Sequence, residues 1–201
     1  MIIILSVKKR QQYLKNLGFY KGKIDGIEGK LTKKAYKSIQ TKYFPKKYID
    51  GIYGNQTEFL VRNAERVRLY APNFDLTEFR CECGGKYCTG YPKLISIRLL
   101  KNLQAVRTKF GATTITSGLR CDKYNNSLVG SVRGSKHTKG KAVDIYISKY
   151  SGLTGRKKVI NYYIKLISSN YSYCNGYYRT KWSKGTVNAP NMGNAIHIDC
   201  L

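Results

Sequence analysis

Histidine is scarce in this sequence of 201 residues, which holds only His137 and His197. Acidic residues are scarce as well: 11 Asp and Glu stand against 37 Lys and Arg, and the formal net charge is +26. That excess is larger than solubility requires and indicates a polyanionic partner. A nucleic acid, an anionic lipid surface and an acidic cell-wall polymer all fit the charge, which does not choose between them.

Long apolar runs are also missing. No stretch approaches the roughly 20 apolar residues of a membrane-spanning helix, so we expect no membrane insertion. The opening MIIILSVKKR has no charged region before its apolar run and no small-residue cleavage site, which makes it a poor secretory signal. We therefore expect a chain made in the cytoplasm. Signatures of zinc fingers, helix-turn-helix motifs and RNA-recognition motifs are absent, so we expect no specific nucleic-acid partner.

Six cysteines in a chain of this length do not form a disulfide scaffold. Three of them, Cys81, Cys83 and Cys88, crowd into CECGGKYC. This spacing suits ligands of a structural zinc ion, a disulfide formed after release, or reduced thiols in a turn-rich loop. The sequence leaves these alternatives open, and the state of Cys121 with them.

An internal repeat marks the first third of the chain. KIDGIEGKLT at residues 23–32 returns as YIDGIYGNQT at residues 48–57, which is 25 residues later. We expect Asp-Gly to form a tight turn in each copy and the second glycine to take a positive φ. We expect the threonine to be the N-cap of the helix that follows.

Apolar spacing predicts three helices around these turns. The first spans Ser6–Leu17, the second carries Ala35, Ile39 and Tyr43, and the third begins near Thr57. The pattern is therefore helix, turn, helix, turn, helix.

The rest of the chain mixes helical and strand patterns. PKLISIRLLKNLQAVRTKFG and RKKVINYYIKLI have helical apolar spacing, whereas ATTIT, AVDIYI, GYYR and AIHID have the composition of strands. We expect an α+β protein with an all-α module over residues 1–70 and a mixed domain over residues 71–201.

The two histidines suggest a metal centre. Zinc in hydrolytic sites takes three protein ligands from His and Asp or Glu and keeps one position open. A His-His-Asp site must use both histidines, and Asp144 is the best-placed carboxylate because it follows His137 by seven residues in a predicted strand. Gly140 allows the loop between them to turn sharply. The carboxylates of this domain are Asp75, Glu78, Glu82, Asp122, Asp144 and Asp199. We predict Zn²⁺ on His137, Asp144 and His197.

SGLRC, SKHTKGKAVDI and AIHID resemble the motifs of zinc peptidases that cleave bacterial wall peptides. That group includes D-alanyl-D-alanine carboxypeptidases, vancomycin-resistance dipeptidases and phage L-alanyl-D-glutamate endolysins. FDLTEFRCECGGKYCTGYP and NMGNAIHID are similar to one of its subfamilies. LGFYKGKIDGIEGKLT resembles a three-helix peptidoglycan-binding module. The resemblance implies a hedgehog-like fold for the zinc domain, with the metal on the three residues above.

The resemblance also assigns roles to single residues. Arg120 of SGLRC is implied to bind the substrate near the scissile carbonyl, where a guanidinium stabilises a developing oxyanion. Ser135 is a candidate for a substrate hydrogen bond, with a purely local role in its loop as the alternative. Several relatives place a catalytic carboxylate three residues before the last histidine, but this sequence has Asn194, which cannot act as a general base. Asp199, on the same strand face as His197, is the candidate base, or else a partner that orients a ligand.

We therefore expect an endolysin-like peptidoglycan hydrolase that binds the wall and hydrolyses a peptide bond with zinc-activated water. Anionic wall polymers such as teichoic acids fit its charge, and action on the wall after release leads to host cell lysis. The bond stays open between L-alanyl-D-glutamate, a D-alanyl cross-bridge and terminal D-alanyl-D-alanine. The alternative is a catalytically inactive, zinc-containing wall-binding protein. This alternative rests on Asn194, which stands where several relatives have a catalytic carboxylate.

Overall fold

The computed structural model describes residues 3–168, 176–177 and 193–200. Its helices are α1 Val7–Asn16, α2 Lys30–Tyr43, α3 Asn55–Tyr70, α4 Ile97–Phe110, α5 Asp122–Ser127 and α6 Leu153–Ser168. Its strands are β1 Thr114–Ser117, β2 Ala142–Tyr146, β3 Gly176–Tyr177 and β4 Ile196–Asp199. This architecture confirms the α+β class and the three-helix N-terminal module. Within the described ranges, no helix is both long and apolar enough to cross a membrane.

The four strands form one antiparallel sheet in the order β1-β2-β4-β3. In the register of β2 and β4, Asp144 lies opposite His197 and Ala142 lies opposite Asp199. Helix α6 packs against β3, β4 and α4. The sheet therefore places two of the predicted metal ligands side by side on neighbouring strands. The last residues of GYYR and Cys174 lie outside the described residues.

The two turn repeats have the same structure, which corrects two details of the prediction. Positive φ lies on the glycine of Asp-Gly, Gly26 with φ +81°, whereas Gly29 has φ −85° and is the N-cap of α2. Thr32 is not the N-cap: it lies in the first turn of α2, where its hydroxyl donates to the carbonyl of Ile27. The second copy repeats this arrangement with Gly51, Gly54 and Thr57.

A buried glutamine on the preceding helix fixes each turn. The side-chain amide of Gln11 donates to Oδ1 of Asp25 at 2.7 Å and to the carbonyl of Ile27 at 3.1 Å, and its oxygen accepts from the amide of Gly26 at 2.9 Å. Gln40 makes the equivalent three bonds in the second copy. Each glutamine therefore satisfies backbone groups that the tight turn would otherwise leave unpaired.

Replacing Gln11 by alanine is expected to lower the free energy of unfolding by about 2–4 kcal/mol, because several buried polar groups lose their partner. The matched control is Gln12→Ala, one residue along the same helix. The Gln12 amide makes an exposed bond to Asn16, so its loss is expected to change stability by less than about 0.5 kcal/mol. Urea unfolding of both variants measures the difference, and equal effects would refute the role given to Gln11.

The helical module packs directly on the sheet domain through α3 and α4. The side chain of Asn63 donates to the carbonyl of Lys93 and accepts from the amide of Ile95, both at 2.8 Å. Arg66 donates to the carbonyl of Ile95 at 2.6 Å. One buried hydrophobic cluster includes residues of both parts. The boundary between residues 70 and 71 stays a prediction.

Candidate metal centre

His137 is held by a short 3-10 helix, Lys136–Lys139, which ends at Gly140. Gly140 has φ +69°, which confirms the predicted sharp turn. Nδ1 of His137 lies 2.7 Å from the carbonyl oxygen of Gly118. Because a carbonyl only accepts hydrogen bonds, this nitrogen carries the proton of the neutral ring and Nε2 is left with its lone pair.

Gly140 is expected to tolerate no side chain, because a Cβ there would collide with the carbonyl oxygen of Leu94. Gly140→Ala is expected to lower stability by about 3 kcal/mol or more, from left-handed strain plus overlap. Gly134→Ala is the matched control, since Gly134 also has positive φ, +74°, but its Cβ would meet only Nζ of Lys139 at 3.9 Å. Its expected cost is about 1–2 kcal/mol. Thermal unfolding compares the two, and equal losses would contradict the steric argument.

The two histidines and Asp144 converge on one point in the core, and all three residues are buried. Nε2 of His137 lies 3.3 Å from Nδ1 of His197 and 3.4 Å from Oδ1 of Asp144. Nδ1 of His197 and Oδ1 of Asp144 are 2.8 Å apart. In a tetrahedral zinc site with bonds of about 2.0–2.1 Å, ligand atoms lie about 3.3 Å from one another. The triangle therefore has the size and the donor atoms of a zinc site.

Asp199 lies on the other side of the His197 ring. Its Oδ2 is 3.2 Å from Nε2 of His197, the nitrogen that faces away from the triangle. The hydroxyl of Tyr163 donates to the backbone carbonyl of Asp199 at 2.8 Å and ties this end of β4 to α6. Because a carboxylate at Nε2 leaves Nδ1 as the ligand atom, this contact favours the orienting role of Asp199. The general-base role stays a prediction.

Arg120 contacts the second oxygen of Asp144. Its Nη2 lies 2.9 Å from Oδ2 of Asp144, and its Nε and Nη2 donate to Oγ of Ser117 at 3.1 and 2.9 Å. Because Arg120 binds Oδ2, Oδ1 of Asp144 remains the oxygen that faces the two histidines. Sequence reasoning missed Ser117, although it stands in the same SGLRC motif. The structure thus gives Arg120 a positioning contact, whereas its substrate contact stays a prediction.

The charge state of the site follows from burial and hydrogen bonds. Burial raises the pKa of Asp144, but hydrogen bonds to His137 and His197 outweigh it and hold that pKa well below its usual range. Burial lowers the pKa of His197, but its hydrogen bonds to Asp144 and Asp199 outweigh burial and raise that pKa. The environment therefore favours an ionised Asp144, which suits a cation.

Two other predicted positions lie outside the triangle. Oγ of Ser135 accepts from the amide of His137 at 3.4 Å, so Ser135 caps the short helix that carries this histidine. Oδ1 of Asn194 accepts from Nη1 of Arg156 at 3.1 Å. Asn194 is therefore bound to α6, and a substrate contact of Ser135 stays a prediction.

The α+β fold thus carries a buried His-His-Asp triangle with the donor atoms of a metal site. Two family profiles match the chain: Peptidase M15 over residues 72–161 and a peptidoglycan binding domain over residues 5–62. The two matches make the chain similar to a modular Peptidase M15 protein with an N-terminal peptidoglycan-binding domain, which confirms the resemblance of its motifs. No curated protein and no solved structure matches it. His197 lies beyond the matched region, and the pairing of β4 with β2 brings it to the other two residues.

Proposed function

We propose that this protein is a zinc-dependent peptidoglycan hydrolase that cleaves a peptide bond of the stem peptide or cross-link. The triangle of His137, Asp144 and His197 carries the proposal. Each histidine has an acceptor on the ring nitrogen that faces away from the triangle, so the three ligand atoms are oriented before any metal binds. A zinc ion held by these three residues would supply Lewis-acid chemistry, which polarises a carbonyl and makes water a stronger nucleophile at neutral pH.

Asp144 of the triangle and the neighbouring residues Arg120 and Asp199 have separate roles. Asp144 keeps its negative charge, because Arg120 and both histidines stabilise the ionised form. Arg120 places positive charge beside the centre, where it stabilises negative charge that develops on a carbonyl oxygen of the substrate. Asp199 keeps the His197 ring in the orientation that points Nδ1 inwards.

The N-terminal module offers a surface suited to the wall. A cleft of about 520 Å³, called the turn cleft here, lies between the two repeats. It is lined by Glu28, Lys33, Lys34, Lys37, Asp50, Gly51 and Ile52. The exposed apolar side chains Ile27, Leu31 and Ile52 stand at the repeats. Exposed apolar groups beside lysines suit a polymer that combines sugar faces with anionic groups.

Replacing the three lysines of the turn cleft by alanine is expected to weaken binding to purified sacculi by about tenfold, which corresponds to about 1.4 kcal/mol. The matched control replaces Lys157, Lys158 and Lys165, which line a cleft along α6 and carry the same charge. A pull-down across a salt series compares the two variants. Equal weakening would mean that net charge, rather than the turn cleft, determines wall binding.

Fragments released from walls of defined chemistry identify the bond. Cleavage of L-alanyl-D-glutamate exposes the amino group of D-glutamate, cleavage of a cross-bridge separates two stem peptides, and carboxypeptidase action releases free D-alanine. Mass spectrometry distinguishes these three products.

We further propose that the protein acts as an endolysin, reaching the wall after release from the cytoplasm and lysing the host. Adding the purified protein to intact cells and to permeabilised cells tests the endolysin role. We expect lysis where the protein can reach the wall.

The second candidate is a zinc-containing wall-binding protein without catalytic activity. It is favoured by Asn194, which stands where several relatives have a catalytic carboxylate and which Arg156 binds through its side-chain oxygen. Such a protein would bind sacculi yet release no new amino groups from them. Hydrolysis that is lost on chelation and regained with zinc would exclude this candidate.

A further inference from the structure

Four cysteines of the sheet domain meet at a second site, away from the histidine triangle. The group, called the cysteine cluster here, consists of Cys81, Cys83, Cys88 and Cys121. Their sulfur atoms all lie within 4.8 Å of one another, and the sulfurs of Cys83 and Cys88 are 3.5 Å apart. In a tetrahedral zinc site with bonds of about 2.3 Å, sulfur atoms are about 3.8 Å apart. The cluster has the dimensions of such a site.

Backbone amides point at the sulfurs. The amide of Cys121 donates to the sulfur of Cys81 at 3.3 Å, and the amide of Gly90 donates to the sulfur of Cys88 at 3.4 Å. Hydrogen bonds from N–H groups stabilise negative charge on sulfur, and a cysteine must be a thiolate to bind a metal. Cys81 and Cys83 are buried. A buried thiolate without a partner is costly, whereas a bound metal ion would neutralise its charge.

We propose that the cysteine cluster binds a structural zinc ion. Four protein sulfurs fill all positions of a tetrahedral zinc, so the site is closed to water and has no catalytic role. The proposal is independent of the hydrolase activity proposed above, because it concerns different residues and a different property.

The cluster joins two segments that are far apart in sequence. Three of its members belong to the loop at residues 81–91, whereas Cys121 is the N-cap of α5. Between them, the amide of Leu119 donates to the carbonyl of Phe79 at 2.9 Å. A Cβ on Gly118 would collide with the backbone of Phe79, so the two segments are already in close contact. An ion there would fix this contact.

The braced segment also supports the histidine triangle. Gly118 provides the carbonyl that accepts from Nδ1 of His137, and Arg120 binds Asp144. On its other side, the cysteine loop touches the helical module: the hydroxyl of Tyr48 donates to the carbonyl of Gly85 at 3.3 Å, and the rings of Tyr43 and Tyr91 meet edge to face. The proposed ion would therefore stabilise both the triangle and the contact between modules.

Metal content of the full chain, purified under reducing conditions with zinc, tests the proposal. We expect two zinc ions per chain in the native protein and one in His137→Ala. We expect one in the double variant Cys83→Ser/Cys121→Ser. Cys200→Ser is the matched control, because Cys200 is a buried thiol outside the cluster, bonded to Oγ of Ser96, and we expect it to keep two. A cysteine double variant that is folded and retains both ions would overturn the proposal.

Cobalt substitution provides a measurement that needs no cysteine variant. The cobalt-loaded native chain and the His137→Ala variant are both expected to show thiolate-to-cobalt charge-transfer absorption. If the double variant does not fold, Cys88→His is the substitute, since three cysteines and one histidine also close structural zinc sites. We expect the Cys88→His variant to bind zinc and, when loaded with cobalt, to show weaker thiolate-to-cobalt absorption than the native chain. A native chain without that signal, or with a disulfide between Cys83 and Cys88 by mass spectrometry, would refute the zinc site.

Discussion

Replacing His137, Asp144 or His197 by alanine is expected to abolish wall hydrolysis and remove one zinc ion per chain. Two remaining protein ligands do not fix the metal. The loss of several kcal/mol of transition-state stabilisation corresponds to at least about a thousandfold in rate. The rate is measured as amino groups released from purified walls, and the metal content by elemental analysis of the same samples.

Asp122→Ala is the matched control for these variants, because Asp122 is an exposed carboxylate of the same domain, in the first turn of α5. It is expected to keep the native rate and metal content. Circular dichroism checks that each variant is folded, since the ligands are buried. A folded His197→Ala variant with native activity and native zinc would show that the metal ligands are assigned incorrectly.

Replacing Asp199 by asparagine is expected to weaken zinc binding at the histidine triangle by about 10–100-fold, as is typical when a residue that orients a ligand is lost. The physical reason is its contact with Nε2 of His197, on the side away from the triangle. The rate at saturating zinc is therefore expected to stay close to native. A zinc titration of the rate, with Asp122→Asn as the control, separates affinity from turnover.

The opposite result would give Asp199 the role of general base. In that case Asp199→Asn keeps its zinc affinity while the rate at saturation falls by about 10²–10⁴-fold. Asn194→Asp adds a second comparison. If Asp199 is the base, we expect Asn194→Asp not to restore the lost rate of Asp199→Asn, because Nη1 of Arg156 lies 3.1 Å from the Asn194 side-chain oxygen and would pair with the new carboxylate. Rescue would mean that position 194 supplies the base after all.

The grouping of His137, Asp144 and His197 could be predicted from the sequence because so few candidates exist. With only two histidines in the chain, a His-His-Asp site leaves no choice for the first two ligands. The spacing of His137 and Asp144 around Gly140 then favoured one carboxylate among six. What the sequence could not provide is the register of β2 and β4, which places Asp144 opposite His197. That register also puts Asp199 behind the ring.

Contacts between distant segments explain what sequence reasoning missed. Cys121 lies 33 residues after Cys88, and no local pattern connects them before the fold is known. Gln11 and Gln40 precede their turns by a variable number of residues, so the repeat did not reveal them. The roles of these cysteines and glutamines depend on tertiary structure.

The errors at the repeats have a local cause. The carboxylate of Asp25 accepts from the amide of Ile27 at 2.9 Å, which closes an Asx turn and puts the left-handed residue at Gly26. The chain is extended again at Gly29, which is the N-cap, so α2 begins at Lys30 and Thr32 falls in its first turn. The hydroxyl of Thr32 is used by Gln11 and Ile27, which leaves it unavailable as a cap.

The release of new amino groups from purified peptidoglycan tests the central claim most directly. We expect the zinc-loaded chain to release them, the chelated chain to release none, and added zinc to restore the activity. The zinc-loaded chain and the chelated chain are both expected to sediment with the wall, because the match to a peptidoglycan-binding domain lies in the N-terminal module. A zinc-loaded, folded chain that binds the wall and releases no amino groups would contradict the hydrolase and leave a wall-binding protein.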